Sequence, residues 1–326
     1  MFLGFIVLGM NAGVALPASS LVNHWFARQR ALAVTLSHIG VEIGGTLLTP
    51  IVAILVLNVG WRQAAIFSGV AFLIVVPILT LFVRNTPESM GMRPDGDPPR
   101  SPAPPNPANP SAVADISSDD DENFTVREAL GTRAFWNLSF AVGARQFAKQ
   151  VLSVHLIPLL VWRGFEEQTA ALLLSLFALT QIPMRIGAAH LADHWSMTRV
   201  PALAALAGVG AVMVLLIPVQ GSIALGVLFA LLFALGETGN SSGWAIIGDF
   251  FGRLRYGTIR GAVSMVQSLI SIPAPVIAGF IYDKTESYQL ALIPVACFYF
   301  LSFLLYWALR RPRARAPLPP TYAEVG

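Results

Sequence analysis

The sequence predicts an all-α membrane protein with nine transmembrane helices, and three observations carry that expectation. Of its 326 residues 55% are hydrophobic and 12% charged, and the mean hydropathy is +0.65; a soluble domain carries about 25% charged residues. The apolar residues fall into nine stretches, each long enough for the ~30 Å of hydrocarbon in a bilayer. A basic loop also recurs. Phe26-Ala27-Arg28-Gln29-Arg30 and Phe251-Gly252-Arg253-Leu254-Arg255 each close one apolar stretch and open the next. In both copies a proline stands 24 positions after the Phe, at Pro50 and Pro275, and an aromatic-plus-Gln pair (Trp61, Gln63; Tyr288, Gln289) then begins another stretch. The duplication spans three helices, the mark of a chain built from two related halves.

In order, the first span, 1–22, opens in the apolar run Met1 to Met10, with no charged n-region or cleavage site of a signal peptide. The second, 32–57, carries Glu42 and the pair Gly40 and Gly44, spaced for a close helix crossing. The third, 62–83, follows Gly60-Trp61-Arg62. Residues 85–132 hold eight prolines from Pro94 to Pro110 and the acidic run Asp119 to Glu122. Such a segment cannot bury enough apolar surface to fold, so it reads as a disordered linker whose regular part is the amphipathic Phe124 to Leu130. Six spans follow: 134–161 with Arg145, Lys149 and His155; 167–188, ending near Arg185; 200–218; 221–247 around Glu237; 258–281; and 289–309. The last holds the single cysteine, Cys297, which excludes an intramolecular disulfide. Pro17, Pro50, Pro158, Pro183, Pro273 and Pro275 mark expected kinks. The expected organisation is a three-helix bundle (1–84), the linker (85–132), a six-helix bundle (133–311) and a tail (312–326).

The isoelectric point near 9.3 reports orientation, because Lys and Arg resist translocation. Arg28 and Arg30, the segment from Arg84 to Arg133, Arg199, the turn from Arg253 to Arg260, and Arg310 to Arg315 all fall on alternate connections. These connections and the C-terminus are expected on the cytoplasmic side of the cell membrane. The bilayer is the implied partner, and the positive charge requires no nucleic acid.

Several motifs resemble the major facilitator superfamily, in particular its monocarboxylate and oxalate/formate carriers. They are Trp25-Phe26 with Arg28 to Ala33, Gly40, Gly44-Gly45 and Gly60-Trp61-Arg62; Pro87-Glu88 with Gly91 and Pro94-Asp95-Gly96; Phe135-Trp136; His155 with Pro158; Leu191-Ala192-Asp193; and Gly248 to Gly252 with Gly257 to Gly261. The resemblance implies a twelve-helix fold of two six-helix halves around a central substrate site, and transport rather than catalysis. The first basic loop follows the first span here, whereas the second follows the fourth span of its half. Three helices are therefore expected before Met1, the chain reads as truncated, and it is expected not to transport alone; the alternative is a genuine nine-helix chain, degenerate or sensory. The stretch from Arg185 to Asp193 resembles the superfamily's signature turn, in which an Asp latches one face of the molecule. That implies a latch role for Asp193 with Arg185, Arg28, Arg30, Arg253 and Arg255, against a plain helix cap for Asp193. Ala189, His194, Ser196 and Met197 depart from the pattern.

Charges inside spans cost about 2.5–3.5 kcal/mol each on insertion scales and must face protein or water. Arg145 and Lys149 stand four apart, on one helix face, and are candidates to receive the carboxylate of a small organic anion, with Asn240 as a third binding residue. Their alternative is an internal ion pair with Glu42 or Glu237. A desolvated glutamate can also carry a coupling proton, which nominates Glu237, then Glu42, with His155 as a possible relay or else a structural histidine. Gly236 to Gly243 is polar and glycine-rich, as for a helix lining a wet cavity, or for close packing. Proton symport is expected over anion exchange. His190 and His194 have zinc-like spacing but no adjoining Glu or third ligand. No metal or cofactor is expected, and no catalytic triad follows from spacing.

Overall fold

The computed structural model describes residues 16–84, 86–92, 94–96 and 124–312, and every element among them is helical. The chain forms α1 (Leu16–Trp25), α2 (Arg30–Val59), α3 (Trp61–Phe82), α4 (Val126–Leu130), α5 (Arg133–Val154), α6 (Leu156–Trp162), α7 (Glu167–His194), α8 (Arg199–Leu216), α9 (Ile223–Glu237), α10 (Gly239–Phe251), α11 (Tyr256–Ser271), α12 (Ala274–Thr285) and α13 (Gln289–Trp307). Among the described residues six stretches are long and apolar enough to cross a membrane: α3, α7, α8, α9 with α10, α11 with α12, and α13. Most of the expected first span lies outside the described residues. The expected fourth span is two helices, α5 and α6, because the chain breaks at His155. The fifth runs on to His194, past the expected end at 188.

The duplicated loops fold alike. Each basic loop leads into a long helix, α2 or α11, and the aromatic-plus-Gln pairs begin α3 and α13. The broken helix α11–α12 bends at Ile272 and Pro273, where a proline removes a donor from the helical ladder.

α5 to α13 pack as one bundle with two apolar cores. One, around Phe135, Trp244, Phe251, Tyr256 and Tyr306, lies toward the arginine-rich ends of the helices; the other, around Phe147, Leu159, Phe233 and Tyr299, lies toward the opposite ends. α1 and α2 dock on this bundle through α7, α10 and α11.

A close crossing of α8, α9 and α13 sets the depth of the interior. A Cβ on Gly236 of α9 would stand 3.1 Å from the Cα of Gly208 on α8, and one on Gly208 would stand 2.7 Å from the Tyr299 ring. Tyr299 is itself fully buried, so the ring has nowhere to retreat. Gly208→Ala is therefore expected to destabilise the protein by about 1–3 kcal/mol by overpacking, against a helix-propensity gain of about 1 kcal/mol. Denaturant unfolding in micelles measures this; an increase in stability would show that the crossing has slack.

Ordered structure continues past 84, where the sequence reading placed a disordered linker. Two 3₁₀ turns, Pro87–Met90 and Pro94–Gly96, fold back onto the first basic loop. There Asp95 accepts hydrogen bonds from the amides of Ala27 (3.2 Å) and Arg28 (3.1 Å), and the Trp25 indole N–H donates to the Arg84 carbonyl at 2.9 Å. The turns hold because the Asp95 carboxylate satisfies backbone donors that would otherwise need water. Residues 97–123 lie outside the described part. The expected amphipathic segment forms α4, whose capping box joins the Glu128 amide to Thr125 Oγ1 (3.2 Å) and the Thr125 amide to Glu128 Oε2 (2.7 Å). That hydrogen bond from the Thr125 amide holds Glu128 below the ordinary carboxylate range. Beside it, Phe124 packs edge-on against Phe251 of the second basic loop at 5.5 Å.

Candidate functional site

Glu237 ends α9, and α10 begins two residues later at Gly239. The break is a tight turn in which Thr238 donates both its amide and its hydroxyl to the Leu235 carbonyl, at 3.2 and 2.7 Å. α9 has 15 residues and α10 has 13, about 22 and 20 Å of helix, so Glu237 lies near the middle of the combined span. Its side chain is fully buried.

Two cations from α5 reach it. Arg145 Nη1 donates to both carboxylate oxygens at 3.4 Å, and Lys149 Nζ lies 3.2 Å from Oε2. Their four-residue spacing puts both on one face of α5, the face turned toward α9. Arg145 Nη2 donates to Asn240 Oδ1 at 2.6 Å, a bond that ties α5 to the first turn of α10. The three ionic groups differ in exposure: Arg145 is 1% exposed, Glu237 0% and Lys149 26%. Lys149 is thus the member of the cluster that water or a ligand can reach. The hydroxyls of Ser241 and Ser242, in the same turn of α10 as Asn240, are buried without a hydrogen-bond partner.

With two cations and one carboxylate, the cluster carries a formal excess of one positive charge. More positive charge surrounds it. Arg185 of α7, 4% exposed, lies within electrostatic reach of Glu237. His38, on α2 in the other bundle, lies within electrostatic reach of Arg260, Arg185 and Lys149. Sequence reading passed over His38, although its place one helical turn before Glu42 puts the two on one face. The side chain of Glu42 lies outside the described residues.

His155 takes a different place from its nominated partners. At the α5–α6 break its Nδ1 meets the Tyr288 hydroxyl at 3.2 Å and its Nε2 meets the Pro275 carbonyl at 3.1 Å. It joins the ends of three helices there, at a break that leaves backbone polar groups without helical partners.

Asp193 shows a geometry that the sequence reading did not foresee. It stands in the last turn of α7 and caps a helix of the other bundle: its carboxylate oxygens accept from the amides of Ala31 (2.8 Å) and Leu32 (2.9 Å), at the start of α2. An anion at a helix N-terminus satisfies orphan donors and is favoured by the macrodipole. The basic loops surround this contact. Arg30 is 3% exposed, with Nε bonded to the Phe26 carbonyl at 3.4 Å; Arg253 donates across the bundles to the His24 carbonyl at 3.4 Å; Arg28 pairs with Asp95 at 3.5 Å. Arg255 immediately precedes α11. Gly248 of α10 presents no side chain to Asn23 and Arg30, which approach it closely. The bonds of Asp193 and Arg253 across the bundles both lie at the arginine-rich end, whereas α2 residues farther along, such as Leu47 and Leu57, are 63% and 85% exposed.

Comparison with known proteins follows the same lines. A family model described as Major Facilitator Superfamily matches residues 1–275. Monocarboxylate transporter 11 of Homo sapiens is 31% identical over 297 residues, covering 87% of this chain and 58% of the relative. Its counterpart in Mus musculus is 29% identical over 325 residues, covering 94% and 66%. The glycerol-3-phosphate transporter of Bacillus subtilis (strain 168) is 28% identical over 97 residues, 29% of this chain and 22% of the relative. The chain therefore spans less than two thirds of the length of each of these relatives.

Proposed function

The chain belongs to the major facilitator superfamily, and from that premise we propose that it is a secondary active transporter of a small organic anion, probed alternately from the two faces of the membrane. The observation that supports this most is the Arg145–Glu237–Lys149 cluster at mid-span. Burying two ionic groups, Arg145 and Glu237, in place of apolar ones rarely stabilises a fold, so their retention at that depth favours a ligand-binding role. The incoming carboxylate approaches Lys149, the exposed member, and is then shared with Arg145, while Asn240 orients the guanidinium from the other side. The names of the relatives, monocarboxylate and glycerol-3-phosphate transporters, describe anions of the class that these cations suit.

Proton coupling follows from the charge count. With Glu237 ionised the cluster has an excess of one positive charge; a proton on Glu237 raises it to two and releases both cations toward the anion. Proton and anion then favour each other's binding, reciprocally, which is the requirement for symport. Exchange is the second reading, and the observation in its favour is that Glu237 already has both cations as partners and needs no proton to be accommodated. In either scheme the arginine-rich end faces the cytoplasm, and the Asp193 contact holds that side closed.

The test is uptake of labelled small carboxylates by the native protein in liposomes. Symport predicts uptake driven by an inward proton gradient, with the pH dependence lost in Glu237→Gln; uptake that needs internal anion and ignores the gradient selects exchange. Lys149→Ala is expected to weaken apparent affinity about 10- to 100-fold, the worth of a hydrogen bond to a charged group, while membrane abundance changes little. Unaltered uptake in that variant removes Lys149 from the site.

A further inference from the structure

A second charged feature lies outside the central cluster, at the arginine-rich boundary of the membrane span. The turn between α7 and α8 and the end of α13 enclose a cavity of about 950 Å³, lined by Trp195, Ser196, Thr198, Arg199, Trp307 and Arg310 among others. None of its lining residues is acidic. An adjoining cavity that shares Trp195, Ser196, Thr198 and Leu309 with it is lined also by Asp193 and Asp249 together with Arg28 and Arg311, and Asp193 is already engaged on α2. The Arg199 guanidinium stands 5.5 Å over the Trp307 ring, which fixes the direction of its charge.

What leads away from the cavity is apolar. On α8 the exposed residues Arg199, Leu203, Leu206 and Met213 recur at helical spacing, so the arginine heads a hydrocarbon-facing stripe. On α13, Phe300 and Leu304 stand in the same relation to Trp307, at 47%, 46% and 53% exposure. α8 and α13 pack against each other, and the cation–ring contact joins the two stripes at their heads. Paired arginines and hydroxyls at the boundary, an exposed tryptophan on either side, and two adjoining apolar tracks into the membrane match the two-part chemistry of a lipid. Soluble anions would use the charge and leave the tracks without purpose.

We infer that this cavity binds the phosphate headgroup of an anionic phospholipid, with the acyl chains laid along the exposed faces of α8 and α13. Arg199 and Arg310 hold the phosphate, Ser196 and Thr198 supply hydroxyl donors, and Trp195 and Trp307 sit at the interfacial depth that amphipathic indoles favour. The site is independent of the transported anion.

The test uses the full chain in vesicles of phosphatidylcholine doped with photoactivatable phosphatidylglycerol or photoactivatable phosphatidylcholine, followed by peptide mapping. The anionic probe is expected to label peptides of α8 and α13 preferentially, and unlabelled phosphatidylglycerol to compete. Arg199→Gln and Arg310→Gln should each lower the preference about five-fold, the weight of one basic residue at an anionic surface; Arg199→Lys should retain it, and Arg127→Gln, on α4 and outside the lining of the cavity, should not change it. Inorganic phosphate that displaces the probe as well as phosphatidylglycerol does would make this a soluble-anion site and overturn the lipid assignment. Equal labelling by both probes, or labelling confined to other helices, overturns it as well, and neither result depends on any variant folding.

Discussion

Arg145→Leu is expected to abolish anion uptake and to destabilise the protein by about 3–5 kcal/mol, the cost of leaving a buried charge without its partner. The lower end applies, because Lys149 remains 3.2 Å from Glu237. The informative companion is the double variant Arg145→Leu with Glu237→Leu. Replacing a whole buried ion pair by apolar side chains is often neutral or stabilising, so the double variant should recover most of the lost stability while uptake stays absent. Denaturant unfolding of both proteins in micelles gives the coupling between the two positions, and liposome uptake gives the function. If Arg145→Leu is as stable as the parent, the guanidinium does not hold Glu237, and the proposed site loses its base.

The second large effect is expected at Asp193, whose proposed role is conformational. Asp193→Ala removes both acceptors from the α2 N-terminus and the anion from its dipole, a loss of about 1–2 kcal/mol from the state in which the arginine-rich side is closed. That corresponds to about a five- to thirty-fold rise in the open fraction. Asp193→Asn keeps one acceptor and should have an intermediate effect. Spin labels at Val83 and Trp195, both exposed, report the opening as a longer distance population; Cys297 is exposed and is first replaced by Ser so that only the introduced thiols react. An unchanged distance distribution in Asp193→Ala would mean that other contacts hold this face closed, with the Asp193 bonds incidental to it.

The two variants also separate two kinds of failure. Arg145→Leu removes a group from the proposed anion site, a loss that biasing conformation is not expected to rescue. Asp193→Ala leaves the cluster of Arg145, Lys149 and Glu237 intact, so substrate affinity measured from the open side should hold while turnover falls.

The legible part of this protein is the part set by local chemistry. Hydropathy over some twenty residues reports solvent directly, because a chain in hydrocarbon must satisfy its backbone internally and does so as helix. The short helix within Phe124 to Leu130 was legible from its local amphipathic pattern, and the structure adds its capping box, whose partners are three residues apart. The shared face of Arg145 and Lys149 was legible too, and needs only the helical repeat. Pro94-Asp95-Gly96 was misread as part of a disordered linker: its composition is that of an unfolded segment, and its order comes from backbone donors 67 and 68 positions earlier in the chain.

By itself, then, the sequence determined an all-helical membrane protein with duplicated basic loops and a pair of cations facing the same way at mid-span. Only the tertiary structure decided what those cations face. Glu237 is 92 residues from Arg145, and Glu42 stood behind it as the second candidate while the rotation of each helix about its own axis was unknown. Likewise Asp193 accepts from the Ala31 amide, 162 residues before it, His38 comes within electrostatic reach of cations on the other bundle, and His155 meets Tyr288 and Pro275 at a helix break. Helical periodicity relates residues within one turn or two. Which faces of two distant helices meet is settled by packing of the whole bundle, where side-chain volumes such as the Gly208–Gly236–Tyr299 crossing decide how close and at what rotation the helices come together.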